Sequence, residues 1–440
     1  MRVLNRFQKY IQNTGWLLLD KGLNFLIGFA VSIVLARYLG PENLGLLSYA
    51  MSLAGLFAVA GHMGLSGLVV RELVKDKGSR AEILGTTIIL KFSGMLFGYS
   101  LLIGYGAFYE GTDSDEFCML VVVGVSLLFR CFGSVDSWFQ AEVQGKYSSL
   151  VRIGALVASN LFRCSLVLCG ASVLLFGYGV VVESVVAALL FCILYKWTTG
   201  ESLFSWRFSW ARARSLLGQG SLVFIGSIFA VLYLKIDQVM LRWLVGIEEV
   251  GIYSVAVRLS EVWYVLPAVL VSSLYPRLIK LYAGDVTHFH QRLQQVFDLL
   301  SSLAIVIAVL VAVVAQPLID FLFGINYSES APILSLHIWA AVFIFMRAAL
   351  SKWILITDML VFSMVTQGLG ALVNVLLNYY LIPQYGGEGA AWATLLSYAM
   401  ASYGALLVSS KTRPVFWMMS KALIAPLRYP IILLNKNISS

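Results

Sequence analysis

The chain reads VSIVLARYLGPENLGLLSYA from Val31 to Ala50 and, much further along, IDQVMLRWLVGIEEVGIYSVA from Ile236 to Ala256. Arg37-Tyr38-Leu39 is echoed by Arg242-Trp243-Leu244, Glu42 by Glu248 and Gly45 by Gly251, with one residue inserted in the second copy. Each copy is the end of one apolar stretch, a tight glycine turn and the start of the next apolar stretch. A helix–turn–helix written twice predicts a chain made of two related halves.

Of the 440 residues, 60% are hydrophobic and only 12% charged, with 13% aromatic. A water-soluble exterior would need far more charge, so the solvent for this surface is lipid. A helix crosses a bilayer in about 20 apolar residues. On that measure twelve spans are read: 15–36, 45–69, 84–108, 117–135, 153–175, 178–196, 217–240, 251–275, 294–315, 331–351, 360–382 and 388–409. The basic, polar N-terminal stretch leads into a span too long for a signal-peptide core, so it is read as a retained first span. The five cysteines, Cys118, Cys131, Cys164, Cys169 and Cys192, lie in or near apolar segments without CxxC spacing and read as small buried hydrophobes.

Lysine and arginine orient the spans. On the N-terminal side fall Arg2, Arg6, Lys9, Arg71, Lys75, Lys77, Arg80, Lys146, Arg152, Lys196, Arg207, Arg212, Arg214, Arg277, Lys280, Arg292, Lys352 and the tail residues Lys411, Arg413, Lys421, Arg428 and Lys436. The opposite loops hold only Arg37, and 109–117, YEGTDSDEF, is purely acidic. Both termini are therefore expected in the cytoplasm. The net charge of +8 is explained by loops facing anionic lipid and implies no nucleic acid. Six spans separate the two copies of the opening motif, so both halves run the same way through the membrane, a parallel repeat of two six-helix lobes. The expected organisation is an all-α membrane protein with an N-terminal lobe at 1–196, a linker at 197–216, a C-terminal lobe at 217–409 and an interfacial tail at 410–440.

Four stretches carry a family resemblance: ARYLGPENLG (36–45), WFQAEVQGKYSSLVRI (138–153), LYPRL (274–278) and NVLLNYYLIPQYGGEGAAWAT (374–394). Together they resemble Wzx-type polysaccharide-biosynthesis flippases, of the superfamily that also holds MurJ and the MATE extruders. The resemblance implies a MATE/MurJ-like fold and an undecaprenyl-pyrophosphate-linked oligosaccharide as cargo, for O-antigen, capsule or exopolysaccharide. It also implies a polysaccharide polymerase and chain-length machinery as partners in the bacterial inner membrane.

Charges inside spans are costly in lipid and point to a polar interior. The cationic candidates for a cargo cavity are Arg163, Lys91, Arg130, Arg258, Lys235 and Arg347. Arg37 and Arg242, at equivalent span ends, are candidates for a gate or a headgroup contact. Lys21 and Asp298, near span ends, read as snorkelling or boundary charges. Cations outnumber acids, which suits an anionic cargo, and a guanidinium fork matches phosphate oxygens. For ion coupling the candidates are Asp237, Glu261, Asn374, Asn378 and Thr394. Asn374 and Asn378 share one helical face, and some superfamily relatives resemble this pattern where they bind Na⁺. The coupling ion is expected to be H⁺ or Na⁺, with no resident cofactor. Asn378 stands where an acid would strengthen a Na⁺ site.

The rival readings are a MATE-type small-molecule exporter, which would favour an acidic pocket, a lipid II flippase, and more remotely a membrane polymerase or ligase. The last would need a large outer loop carrying acids or histidines, and the outer turns are short. His62, His288, His290 and His337 are scattered, and no GxxxxGK[ST] motif appears. The chain is therefore read as a transporter and not an enzyme. Reporter fusions at residues 75, 210, 285 and 425 are expected to read cytoplasmic, and those at 113, 248, 325 and 386 external. A cytoplasmic signal at 113 or 325 overturns the twelve-span reading.

Overall fold

The computed structural model describes residues 2–76, 78–202, 205–426 and 428, without the side chains of 2–14, 17, 18 and 222. The side chains of Arg2, Arg6, Lys9, Lys77 and Lys436, and the tail from 429 onward, lie outside the described residues. Every regular element among the described residues is helical. The α-helices are α1 (Arg2–His62), α2 (Leu65–Lys75), α3 (Arg80–Tyr109), α4 (Asp115–Phe129), α5 (Ser134–Ala141), α6 (Gly145–Leu168), α7 (Val173–Thr199), α8 (Trp210–Leu244), α9 (Ile247–Glu261), α10 (Val265–Gly284), α11 (Val286–Leu322), α12 (Ser330–His337), α13 (Ala340–Ile356), α14 (Leu360–Ser402) and α15 (Arg413–Leu423).

Ten helical stretches among the described residues are long and apolar enough to cross a membrane. The first and last of them each carry two of the twelve apolar segments, because α1 breaks at Gly40 (φ 74°) and α14 at Gly386 (φ 52°). A positive φ is cheap only for glycine, so these residues reverse the chain where hydrocarbon gives no room for a loop. Gly246 and Gly324 do the same in the second half, and Gly111 and Gly170 in the first. The duplicated turn at Gly40 and Gly246 is thus one member of a series of three matched turns.

The chain divides into two compact units, Met1–Lys235 and Ile236–Ser440. The divide falls inside α8, not in the 197–216 stretch, because that stretch is stitched onto the first unit. Arg207 donates its backbone N–H to Ala81 O at 3.2 Å, and Ser209 donates to Thr86 Oγ1 at 3.0 Å. Arg212 reaches Asp76 at 3.0 Å, Glu82 at 3.4 Å and Glu72 at 3.5 Å. Ser79 first and Arg212 after it hold the Asp76 carboxyl below the usual carboxylate range. Arg80 pairs with Glu201, and Trp206 donates to Tyr195 OH at 3.1 Å. Lys235 is the last residue of the first unit.

In the first unit α1 packs on α3 and α6, and α4 on α3 and α7. Gly94 and Gly98, one turn apart on α3, make the α1 crossing close. A Cβ at Gly94 would stand 2.5 Å from Ala60 O, and one at Gly98 2.5 Å from Phe57 O. This small-xxx-small pattern replaces the hydrophobic driving force that lipid does not supply between helices. In the second unit α11 is central, packing on α10, α12, α13 and α15. Its buried face runs through Leu293, Phe297, Leu300, Ala304 and Ala308. Asp298, read from the sequence as a boundary charge, is instead buried. It accepts from Gln294 at 2.7 Å and from Arg428 at 2.6 Å, which fastens the chain after α15 to α11.

The turn inside α14 is equally tight: a Cβ at Gly389 would lie 2.4 Å from Leu381 O. Gly389→Val is expected to destabilise the protein by about 1–3 kcal/mol through overpacking. Gly55→Ala, where the added Cβ meets nothing within 4 Å, should be neutral or mildly stabilising. Thermal unfolding in detergent compares the two variants, and equal midpoints contradict the packing argument.

Candidate functional site: a cationic cavity and a buried carboxylate

The first unit holds a half-open cavity of about 730 Å³. Its charged lining is Lys21, Arg130, Arg152 and Arg163 against Asp20 and Glu183, an excess of two cations. The positions follow from helix geometry. Asp20, Lys21 and Asn24 come from α1, Arg152 and Arg163 from α6, and Glu183 from α7. Arg130 sits where α4 passes through a single 3₁₀ turn into α5. His62, at the end of α1, also lines the cavity.

The cations are not equally engaged. Arg152 donates to Asp20 at 2.7 Å and to Asp136 at 3.3 Å, and Asn24 donates to the other Asp20 oxygen at 2.6 Å. Arg163 stands 3.8 Å from Glu183 and 3.4 Å from Asn160 Oδ1, and its Nε has no partner among the described residues. Asn160 Nδ2 is likewise buried without a partner. The Arg130 side chain makes no hydrogen bond or ion pair among the described residues, while its backbone N–H donates to Leu127 O. So Arg152 is held by acids, while Arg130 and Arg163 keep donors that a ligand can use. The buried Arg163 Nε and Asn160 Nδ2, left unmatched in this way, are costly unless something fills them, while Arg130 lines the cavity with an exposed side chain. The site is built to receive acceptor oxygens of an anion.

Among the cationic candidates named from the sequence, this geometry brings together Arg163 and Arg130, whereas Lys91 is buried on α3 at 3% exposure and is not among the lining residues. Lys235, Arg258 and Arg347 are not among the lining residues. Arg347 bonds within the second unit instead, to Ser363 Oγ at 2.9 Å, Ala401 O at 3.4 Å and Thr366 Oγ1 at 3.5 Å, tying α13 to both halves of α14. Lys21 lines the cavity too, with an exposed side chain near the end of its span. Arg152 and Asp20 join it; their place near a span end hid the inward direction of their side chains. Arg37 is exposed and Arg242 half-buried at their helix ends.

The second unit holds a different arrangement. Asp237, 5% exposed on α8, accepts from Asn378 Nδ2 at 2.6 Å, from Thr394 Oγ1 at 2.6 Å and from Tyr253 OH at 3.0 Å. Asn378 also donates to Asn374 Oδ1 at 3.1 Å, and Asn374 to Ser397 Oγ at 3.4 Å. Four of the five coupling candidates thus meet around one carboxylate. Tyr253 joins them from α9, and Glu261 lies near the end of the same helix. Tyr253 went unremarked in the sequence because a tyrosine in an aromatic-rich span carries no charge signal. Asn378 Oδ1 is buried without a partner among the described residues. No group of three or more His, Cys, Asp or Glu residues suited to a metal occurs among the described residues.

Asp237→Ala leaves Asn378, Thr394 and Tyr253 without their shared acceptor. The expected loss is roughly 2–4 kcal/mol from three interhelical hydrogen bonds. Asp237→Asn, which keeps one acceptor, should lose about half as much. Thermal unfolding in the same detergent reads both, and a wild-type midpoint for Asp237→Ala would show that the cluster does not hold the helices.

Comparison with known proteins meets this geometry. The family described as polysaccharide biosynthesis protein matches residues 10–282. A probable flippase of Haloferax volcanii, AglR, is 24% identical over 86% of this chain and 78% of its own. A putative O-antigen transporter of Shigella flexneri is 21% identical over 72% of this chain and 77% of its own. The structure of the lipid II flippase MurJ in an inward closed conformation superposes with a TM-score of 0.72 at 15% identity, over 98% of this chain and 93% of that one. An inward-facing MATE transporter of the MOP superfamily superposes at 0.68 and 14% identity, over 91% and 96%. The family match covers more than half of the sequence and includes three of the four motifs completely, so the chain belongs to the polysaccharide biosynthesis protein family and carries the multi-pass fold of MOP superfamily transporters.

Proposed function

We propose that the protein is a Wzx-type flippase that carries an undecaprenyl-pyrophosphate-linked oligosaccharide across the bacterial cytoplasmic membrane for a surface polysaccharide. The observation that carries this reading is the cationic cavity of the first unit, where Arg163 Nε is buried without a partner and Arg130 lines the wall with an exposed side chain. A pyrophosphate presents acceptor oxygens and negative charge together, the chemistry that guanidinium forks bind best. Its volume of about 730 Å³ lies within the range of small-molecule sites. The sugar-bearing head is carried through this polar interior while the polyprenyl tail stays in lipid. Exposure to each leaflet in turn, by alternating access of two parallel halves, completes the cycle. Both termini face the cytoplasm on the basic-loop rule. A polymerase that takes up the delivered unit is the natural partner.

Energy enters through the second unit in this reading. Asp237, Asn374, Asn378 and Thr394 offer oxygens to H⁺ or Na⁺, and the orphaned Asn378 Oδ1 is the atom of this cluster that lacks a partner. A hard cation suits such oxygen donors.

Arg163→Ala is expected to lower export of the lipid-linked oligosaccharide about tenfold or more, the loss of a charge-assisted hydrogen bond, with normal amounts of protein in the membrane. Arg163→Lys should rescue only part of it, because the charge returns without the fork. Export is read as surface polymer in cells and as headgroup accessibility in reconstituted vesicles. Wild-type export by Arg163→Ala removes this residue from the cargo site.

A further inference from the structure

The second unit has a separate groove between α10 and α11, of about 160 Å³. Arg277 lines it from α10 and Arg292 from α11. The two helices are antiparallel and meet at Asp285, the N-cap of α11. Arg277 and Arg292 stand at nearly equal distances from that turn, so they share one level of the hairpin. Leu274 and Leu278 on α10, and Val296 and Leu299 on α11, supply the apolar wall. Leu274 and Leu299 lie on the side away from the turn, toward the middle of the spans. No carboxylate lines the groove. Arg292 donates to Gln295 at 2.8 Å, and Arg277 bonds to no described residue.

A second feature fixes the depth of these arginines. α15 packs on another face of α11, where Gln294 Nε2 donates to Met418 O at 2.9 Å. This helix buries Val415, Met419 and Ala422 and leaves Trp417 60% exposed, with Arg413 and Lys421 exposed beside it. A short amphipathic helix showing tryptophan and basic side chains lies at the headgroup level. Gln294 lies between Arg292 and Gln295, so the arginine pair lies at that level too.

We infer that the α10–α11 groove is a binding site for an anionic phospholipid of the surrounding bilayer, with its phosphate between Arg277 and Arg292 and one acyl chain along Leu274, Leu278, Val296 and Leu299. The charge is complementary, the apolar wall begins where an acyl chain begins, and the site opens at the depth where such headgroups reside. The groove lies wholly in the second unit and the cationic cavity wholly in the first, so this site is separate from the proposed cargo site. The inference rests on the membrane placement of the helices and not on the transport reading.

Native mass spectrometry of the purified full chain, titrated with phosphatidylglycerol or phosphatidylcholine, tests it. The wild type should retain phosphatidylglycerol in preference. Arg277→Gln with Arg292→Gln should weaken that retention about tenfold or more, whereas Arg277→Lys with Arg292→Lys should keep most of it. Arg163→Gln should leave it unchanged. A photoactivatable phosphatidylglycerol should label wild-type peptides covering 274–281 and 292–299, which needs no variant to fold. Equal retention of the two lipids by the wild type, undiminished phosphatidylglycerol retention in the glutamine variant, or labelling confined to other peptides each overturns the site. Displacement of the label by the lipid-linked cargo, but not by excess phosphatidylglycerol, would assign the groove to the cargo and overturn it equally.

Discussion

A polar group in hydrocarbon finds no water, and everything in this protein answers to that constraint. Backbone groups are matched inside long helices, and the chain leaves the helix where glycine can reverse it, as at Gly40 and Gly386. Side chains obey the same rule with fewer choices. Asp237 is surrounded by three donors, Asp298 is met by Arg428, and Asp20 is met by Arg152 and Asn24. Against that background Arg130 and Arg163 stand out, because their matching is incomplete. Function is concentrated where the rule is relaxed.

The two units relax it differently. The first keeps a cavity with surplus positive charge, while the second seals its carboxylate beneath hydrogen bonds. In the proposed reading, one half receives an anion and the other holds a small cation or proton. The common scaffold of the repeat explains the matched turns, and the different side chains placed on it explain the different chemistry.

Much of this was legible in the sequence, for identifiable reasons. Apolar length marked the spans, and positive-φ turns announced themselves as glycine beside proline or glutamate. Asp237, Asn374, Asn378 and Thr394 could be grouped because polar residues are rare enough in spans to be noticed. Depth was less readable than type. Lys21, Arg152 and Asp298 sit near span ends, where a charge can face either headgroups or the interior, and only the packing of neighbouring helices decides. Within 197–216 the same holds: Arg212 looks like any loop arginine until Glu72, Asp76 and Glu82 converge on it. The Gly94–Gly98 crossing was in plain view, but two glycines four apart have meaning only once the partner helix is known.

The bond between Asp298 and Arg428 also has a history in time. The two residues are 130 positions apart, and a ribosome adds roughly 5–20 residues per second. For on the order of ten seconds, then, α11 sits in the membrane with its carboxylate still waiting for an arginine that has not been made. Gln294 alone cannot neutralise it. Arg428, beyond α15, supplies the missing charge and helps hold α15 against α11. A chain that stops before Arg428 leaves this buried carboxylate without its cation, so truncation there costs more than the loss of an exposed tail.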